Sequence, residues 1–258
     1  MLRKIFRFLA AFSIQPKLVW TSIKGWGPFR RDLRDIKKQL RSNKDFKIMS
    51  LYPVLRDRYE SNGSLSHYFH EDLVVAQRIF ENKPVKHVDV GSRVDGFVAH
   101  IATFREIEVF DIRPQEVVVK NVKFVTADFM NIAPELHNYS DSLSSLNVIE
   151  HFGLGRYGDP IDVDGHLKGL DSMYKVLKPG GKFYFSTPIG PQRIEFNAHR
   201  TFSLEYLLKI FEPKYVIDRF SYVDDASRLH RDVELTPEAI SSNLGCWFGF
   251  GIFEMTKK

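Results

Sequence analysis

Val85 to Phe104 reads V-K-H-V-D-V-G-S-R-V-D-G-F-V-A-H-I-A-T-F. An apolar run enters a turn that holds Gly91 and Gly96, and a helix-forming stretch follows, the strand-turn-helix context in which a backbone approaches a nucleotide-like ligand. Glycine removes the Cβ that would block that approach, and the first turn of the following helix offers free N–H groups. Two acids fall at matching distances: Asp111, 20 residues after Gly91, closes a second apolar run (Ile107–Asp111), and Asp128 follows a third (122–127). An acid at the end of the second strand accepts hydrogen bonds from the two hydroxyls of a ribose and repels a phosphorylated one.

Further on, Val163, Leu167, Leu170, Tyr174 and Leu177 recur at helical spacing. They end at Lys178-Pro179-Gly180-Gly181, which stops a helix, and Lys182 to Thr187 reads as a strand. With this helix-L-K-P-G-G-strand signature the chain resembles the class I S-adenosylmethionine-dependent methyltransferases, from about Tyr68 to the C-terminus. The wording H-V-D-V-G-S-R-V-D-G-F, V-F-D-I-R-P and N-V-I-E-H is similar to a methyltransferase-like family of unassigned function, whose members lie among bacterial surface-polysaccharide genes and occur in nematodes.

The resemblance implies S-adenosyl-L-methionine as cofactor. Its binding positions would be Asp89, Gly91, Ser92, Arg93 and Gly96 in the first turn. Asp111 and Ile112, Asp128 and Phe129, and Asn147 would follow at the ends of the next strands. The chain departs from the D-x-G-x-G-x-G pattern: Arg93 replaces the second glycine and Asp95 the third, with Gly96 one place later. Arg93 has two readings. It reaches outward to an anionic acceptor such as a sugar phosphate through paired hydrogen bonds, or it pairs with Asp95 or Asp111 and shapes the loop.

A chain of 258 residues with 43% hydrophobic content buries one substantial core. The sheet and its helices need about 190 residues, which divides the chain into a basic N-terminal extension and linker, 1–66, and a methyltransferase-like catalytic domain, 67–258. A helix is expected from Phe69 to Phe80, with an apolar stripe at Phe69, Leu73, Ala76 and Phe80. The resemblance makes that helix part of the lid of the cofactor pocket. Further strands are expected near 141–148, 215–223 and 247–255. The fold class is therefore α/β: a Rossmann-like, seven-stranded, mostly parallel sheet with helices on both faces, its last strand antiparallel as the resemblance implies.

Charge is uneven. Residues 1–47 hold 13 Lys/Arg against 3 Asp, a net of +10, which leaves −5 for the rest of a chain whose total is +5. The extension also carries Leu2, Ile5, Phe6, Leu9, Phe12 and Ile14, then Trp20, Trp26 and Phe29. Its apolar stretch from Phe8 to Ile14 is far shorter than the roughly 18 residues of a membrane-spanning helix, and no cleavage signature follows it. Two readings of residues 1–47 remain open: a basic amphipathic helix lying on an anionic membrane surface, or a segment docked on the catalytic domain or a second subunit. Nucleic acid is not expected as a partner, because the globular part is acidic. The single cysteine, Cys246, excludes an internal disulfide. A cytoplasmic site, with attachment to the inner face of the membrane through the extension, is the matching expectation.

Methyl transfer to a hydroxyl needs the acceptor held in line and its proton removed. Asn147, Glu150 and His151 after the fourth strand, and His199 with Arg200 after the fifth, would flank the methyl group in the resembled fold. His151 is the first candidate base, Glu150 a base or an orienting group for it, and His199 the alternative. No metal is assigned: Asp159, Asp162, Asp164 and His166 in the loop 153–166 read as caps or solvent-facing acids, and His67, His70 and Glu71 as surface or capping residues at a helix start. Three functions follow in order: an S-adenosylmethionine-dependent O-methyltransferase acting on a sugar or glycan precursor of surface polysaccharide, a catalytically inactive binding or scaffolding module, and a nicotinamide-dependent oxidoreductase. The Lys178–Gly181 motif argues against the last.

Overall fold

A computed structural model describes residues 8–42, 45–61, 63 and 65–258. Leu2, Ile5 and Phe6 of the basic extension lie outside the described residues. Two compact units emerge, Met1–Ser64 and Leu65–Lys258.

The first unit is built on helix α1 (Pro16–Gln39), which begins with proline at its first position, where no N–H bond is lost. Gly25 is its one buried residue. A Cβ there would run into the backbone carbonyl of Leu55, so glycine lets the segment around Val54 and Leu55 lie directly on the helix. Arg58 at the far end of that segment pairs with Asp32 of α1.

The second unit opens with α2 (His67–Asn82) and continues through β1 (His87–Val90), β2 (Ile107–Asp111), β3 (Val122–Thr126) and β4 (Ser140–Leu146). Between β1 and β2 a five-residue π turn, Val94–Val98, leads into the short helix α3 (Ala99–Ala102). Then come α4 (Gly165–Val176), β5 (Leu177–Ile189), the hairpin β6 (Arg193–Glu195) and β7 (His199–Thr201), α5 (Leu204–Phe211), β8 (Tyr215–Val223), β9 (Leu229–His230), α6 (Pro237–Ser241) and β10 (Gly249–Lys257). The sheet runs β3-β2-β1-β4-β5-β10-β8-β9. β1 to β5 are parallel, and β10 inserts antiparallel between β5 and β8. The expected seven strands and antiparallel last strand are all present, with the two-residue β9 as an added eighth.

Alternation along each strand sends its side chains to opposite faces. Phe183 and Phe185 of β5 join Leu170, Met173, Leu207 and Phe211 of α4 and α5 on one side. Tyr184 joins Val75 and Ile79 of α2 and Phe97 and Ile101 on the other. Central strand β4 carries four fully buried serines, Ser140, Ser142, Ser144 and Ser145. Ser142 and Ser144 face β1, where the ring nitrogens of His87 lie 2.8 and 3.2 Å from their hydroxyls. Burial holds His87 neutral, its pKa pushed down to about 3.

Two readings of the sequence are corrected here. The stripe Phe69, Leu73, Phe80 points to solvent, with Phe80 58% exposed, and only Ala76 of that set is buried. The inward face instead carries Glu71, Asp72, Val75 and Ile79, with Glu71 accepting from the Asn147 amide and Asp72 lying in the space that Gly96 leaves. β5 also starts earlier than Lys182. Leu177 already pairs with Ser140, and the register slips before Ser142 meets Lys182, so Lys178–Gly181, which does stop the helix, forms an irregular entry to the strand.

Candidate active site

The carboxyl ends of β1, β2, β3 and β4 surround a crevice lined by Gly91, Asp111, Ile112, Asp128, Phe129, Asn147 and His151. It opens beside a larger cavity of about 540 Å³ that adds Ser92, Arg93, Glu150 and His199, and is walled by His67, Tyr68, Phe248 and Phe250. The placement is the one expected for a ligand in an open α/β sheet.

Gly91 adopts φ +69°, a left-handed turn, and a Cβ there would come 2.7 Å from the Val148 side chain. Beneath it Asp89 is fully buried. Its carboxylate accepts from the Ser92 amide at 2.9 Å and from the Ser92 and Ser144 hydroxyls, each at 2.6 Å. Burial lifts its pKa to about 6. Asp89 therefore braces the turn and lines neither cavity. Gly96 also lies outside both; its missing Cβ makes room for the Asp72 carboxylate. Both had been expected to bind cofactor.

Arg93 pairs with Asp95, Nε to Oδ1 at 3.1 Å and Nη2 to Oδ2 at 2.9 Å, while its guanidinium lies 4.8 Å from the centre of the Tyr68 ring. Asp111 is engaged by a residue that sequence reasoning passed over. Arg113 donates its backbone N–H and Nε–H to Oδ1 and its Nη2–H to Oδ2, at 2.8, 2.9 and 2.7 Å. A carboxylate has about four acceptor sites. Three are taken, so Asp111 as it stands can receive one hydroxyl rather than the two anticipated. Among the described residues, the Asp128 carboxylate accepts only from the Met130 amide, at 2.8 Å.

The larger cavity has buried acids behind it. Asn147, at φ +54°, donates its side-chain amide to Glu71, and its own Oδ1 is buried with no partner among the described residues. Burial raises the Glu71 carboxyl well above the usual carboxylate range, Asp72 to about 7 and Glu150 to about 8. At neutral pH Glu150 is thus mainly protonated.

His151 sits 2.7 Å through Nδ1 from the Ala198 carbonyl. A carbonyl only accepts, so Nδ1 carries the proton and Nε2 keeps its lone pair. Nε2 is 3.8 Å from Glu150 Oε1, too far for a hydrogen bond. Burial, and then the Arg156 guanidinium, lower the His151 pKa to about 4, so the ring is neutral at pH 7. His199 lines only the larger cavity, its ring 4.8 Å from Phe248 and its Nε2 3.9 Å from Glu195.

Arg200, expected beside the methyl group, is buried and bonds the carbonyls of Glu150, Phe152, Asp162 and Val163. It ties down the loop after β4. Within that loop Asp159 accepts from the amides of Gly153, Gly155 and Tyr157, and Asp162 from Asp164. His67 is no surface residue. It stacks on Phe250 at 3.5 Å with planes 2° apart, and burial lowers its pKa to about 4. His166 is also inside, bonded to the Tyr206 hydroxyl at 2.7 Å.

Among solved structures, the chain is similar to the Burkholderia thailandensis 1,6-didemethyltoxoflavin-N1-methyltransferase, crystallised with 1,6-didemethyltoxoflavin and S-adenosylhomocysteine. The TM-score is 0.53 at 13% identity, over 74% of this chain and 79% of that one. The [4+2]-cyclase SpnF is similar at 0.52 and 15%, over 73% and 80%. The N-methyltransferase NodS from Bradyrhizobium japonicum WM9, in complex with S-adenosylhomocysteine, matches at 0.50 and 11%, over 74% and 88%. Likeness at such identities establishes the Rossmann-like methyltransferase fold, and the cyclase among them shows that the fold alone does not fix the reaction. No curated protein sequence matches significantly. More than half of the chain, residues 96–241, matches one family pattern, and the protein belongs to that family, described as Caenorhabditis protein of unknown function, DUF268.

Proposed function

We propose that this protein is an S-adenosylmethionine-dependent methyltransferase that methylates a hydroxyl of a sugar or glycan precursor. The observation that carries the reading is the junction of the two cavities after β4, where both are lined by His151 and by Asn147, whose Oδ1 has no partner among the described residues. The residues present fit the cofactor. Asn147 Oδ1 is a buried acceptor in want of a donor, Asp111 keeps one acceptor site for a ribose hydroxyl, and Ile112, Phe129 and Met130 offer apolar walls to a flat ring. When bound, S-adenosylmethionine supplies an electrophilic methyl group on a sulfonium.

The chain's own task is alignment and proton removal. His151 Nε2, neutral at working pH, would take the proton of the acceptor hydroxyl. The Nδ1–H bond to Ala198 fixes the tautomer that leaves Nε2 basic. Tyr68, Phe248 and Phe250 give the larger cavity aromatic faces, which suit the C–H face of a sugar ring. The similarity of the first-turn wording to a family found among surface-polysaccharide genes supports the glycan acceptor.

The Arg113 fork on Asp111 favours a second reading, a catalytically inactive module. Calorimetry separates the two and tests the cofactor. The expected outcome is micromolar binding of S-adenosylhomocysteine, roughly −8 kcal/mol, with no heat from NAD. Heat from NAD alone would replace the methyltransferase reading with an oxidoreductase; heat from neither would leave the module.

A further inference from the structure

Helix α1 has two faces of different fate. Successive residues advance about 100° around a helix, which places Leu18, Ser22, Gly25, Phe29 and Leu33 on one side; Gly25 is buried and the other four are half-buried. The exposed surface of the helix carries Val19, Trp20, Ile23 and Trp26 in its first half, between 41% and 59% exposed, with Trp26 at the border, edge-on to Phe29. In its second half that same surface is occupied by the exposed Arg30, Arg34 and Lys37. The helix holds seven Lys/Arg against two Asp, and Asp32 is already paired with Arg58 and Arg31. Lys24 lies over the Trp20 ring and Arg30 over the Trp26 ring, at 5.5 and 5.7 Å, so cations rim the aromatic patch. Just before the helix, Phe8 and Phe12 form an exposed edge-to-face pair at 5.2 Å.

We propose that this outward face of α1 docks the protein on an anionic lipid bilayer, with Val19, Trp20, Ile23 and Trp26 entering the interface and Arg30, Arg34 and Lys37 lying on the headgroups. Charge selects the occupant. A second protein surface would have to offer both an apolar socket and a dense acidic strip in register, whereas an anionic bilayer offers both along its whole surface. Tryptophan belongs at that depth, its ring apolar and its N–H able to meet the wet layer. No helix among the described residues is long and apolar enough to cross a membrane, so the helix lies on the bilayer rather than through it. This proposal does not depend on the methyltransferase reading.

The test is sedimentation of the full-length protein with phosphatidylcholine vesicles, with and without phosphatidylserine. Binding is expected only with phosphatidylserine, and it should be lost as added salt shortens the Debye length from about 8 Å to about 3 Å. Replacing Trp20 and Ile23 together by serine should weaken partitioning at least tenfold, and Arg30→Glu with Arg34→Glu should do the same, because each removes one of the two attractions. Far-UV circular dichroism should be unchanged in both variants, since all four side chains are exposed. Three results would overturn the proposal: no sedimentation of the wild type with phosphatidylserine vesicles, binding by the double variants as tight as that of the wild type, or a fall in oligomeric state of the serine variant by light scattering, which would show that a second copy covers the face.

Discussion

The crevice at the ends of β1 to β4 and the larger cavity beside it both have acids near them, in different surroundings. Asp111 and Asp128 stand at the strand ends within reach of a ligand, one in an ion pair with Arg113 and the other accepting a single backbone amide. Glu150 lines the larger cavity and Glu71 and Asp72 are buried under α2; burial raises the pKa of all three. An open strand end leaves a carboxylate free to recognise polar groups, while a helix packed over the sheet turns the same side chain into a neutral donor. The proposed function divides its work along the same line, with the crevice holding the cofactor and the cavity side taking the proton.

The sharpest way to break this division is at His151. If the cavity side supplies the base, His151→Ala should lower turnover by about 10² to 10⁴ while S-adenosylhomocysteine affinity stays within twofold or so. Loss of affinity in parallel with turnover would merge the two regions into one binding surface. A wild-type rate, with His199→Ala crippled instead, would move the proton acceptor across the cavity to the β7 hairpin.

The two regions were also unequally legible. Crevice residues follow strands whose apolar runs and terminal acids are local in sequence, and β2 and β8 have the bounds that their runs imply, Ile107–Asp111 and Tyr215–Val223. The cavity shares some of those strand ends, Gly91, Asp111 and Asn147 among them, and adds residues of α2, the 193–201 hairpin and β10, far apart in the chain. Nothing local marks Glu71 and Asp72 as buried. On composition they belong outside, and the apolar stripe of Phe69, Leu73 and Phe80 points the reader to the wrong face of the helix. Arg113 could have been suspected: an arginine two residues after a strand-end aspartate can fold back on it, as it does here. His67, stacked on a β10 phenylalanine almost two hundred residues later, left no such mark.

A smaller effect is expected on the crevice side. Asp111→Ala should weaken S-adenosylhomocysteine by about 1 to 3 kcal/mol through loss of a charge-assisted hydrogen bond. Titration calorimetry reads it directly. Arg113→Ala sharpens the result: freeing the lone pairs of Asp111 should tighten binding, by no more than about tenfold. If Asp111→Ala binds as the wild type does, the carboxylate serves only its arginine, and the crevice loses its ribose anchor.

The gentlest probe is the pH dependence of stability. Folded Glu150 keeps its proton to about pH 8, whereas an unfolded glutamic acid releases it near pH 4.3. Between these values the native state binds more protons than the unfolded one. The advantage of the folded form is therefore complete below the unfolded value and is lost as pH rises toward the folded one, by at most about 1.4 kcal/mol per pH unit for each such group. His67 and His151, with pKa values near 4 in the fold, act in the opposite sense, but only up to about pH 6.5, where an unfolded histidine titrates. Urea unfolding between pH 6.5 and 8 isolates the acids. Stability should fall across that window in the wild type and fall less in Glu150→Gln, which keeps the shape of the carboxyl and cannot ionise. An identical slope in both proteins would mean that Glu150 is already charged at neutral pH, and the contrast between open and sealed acids would then rest on Glu71 and Asp72 alone.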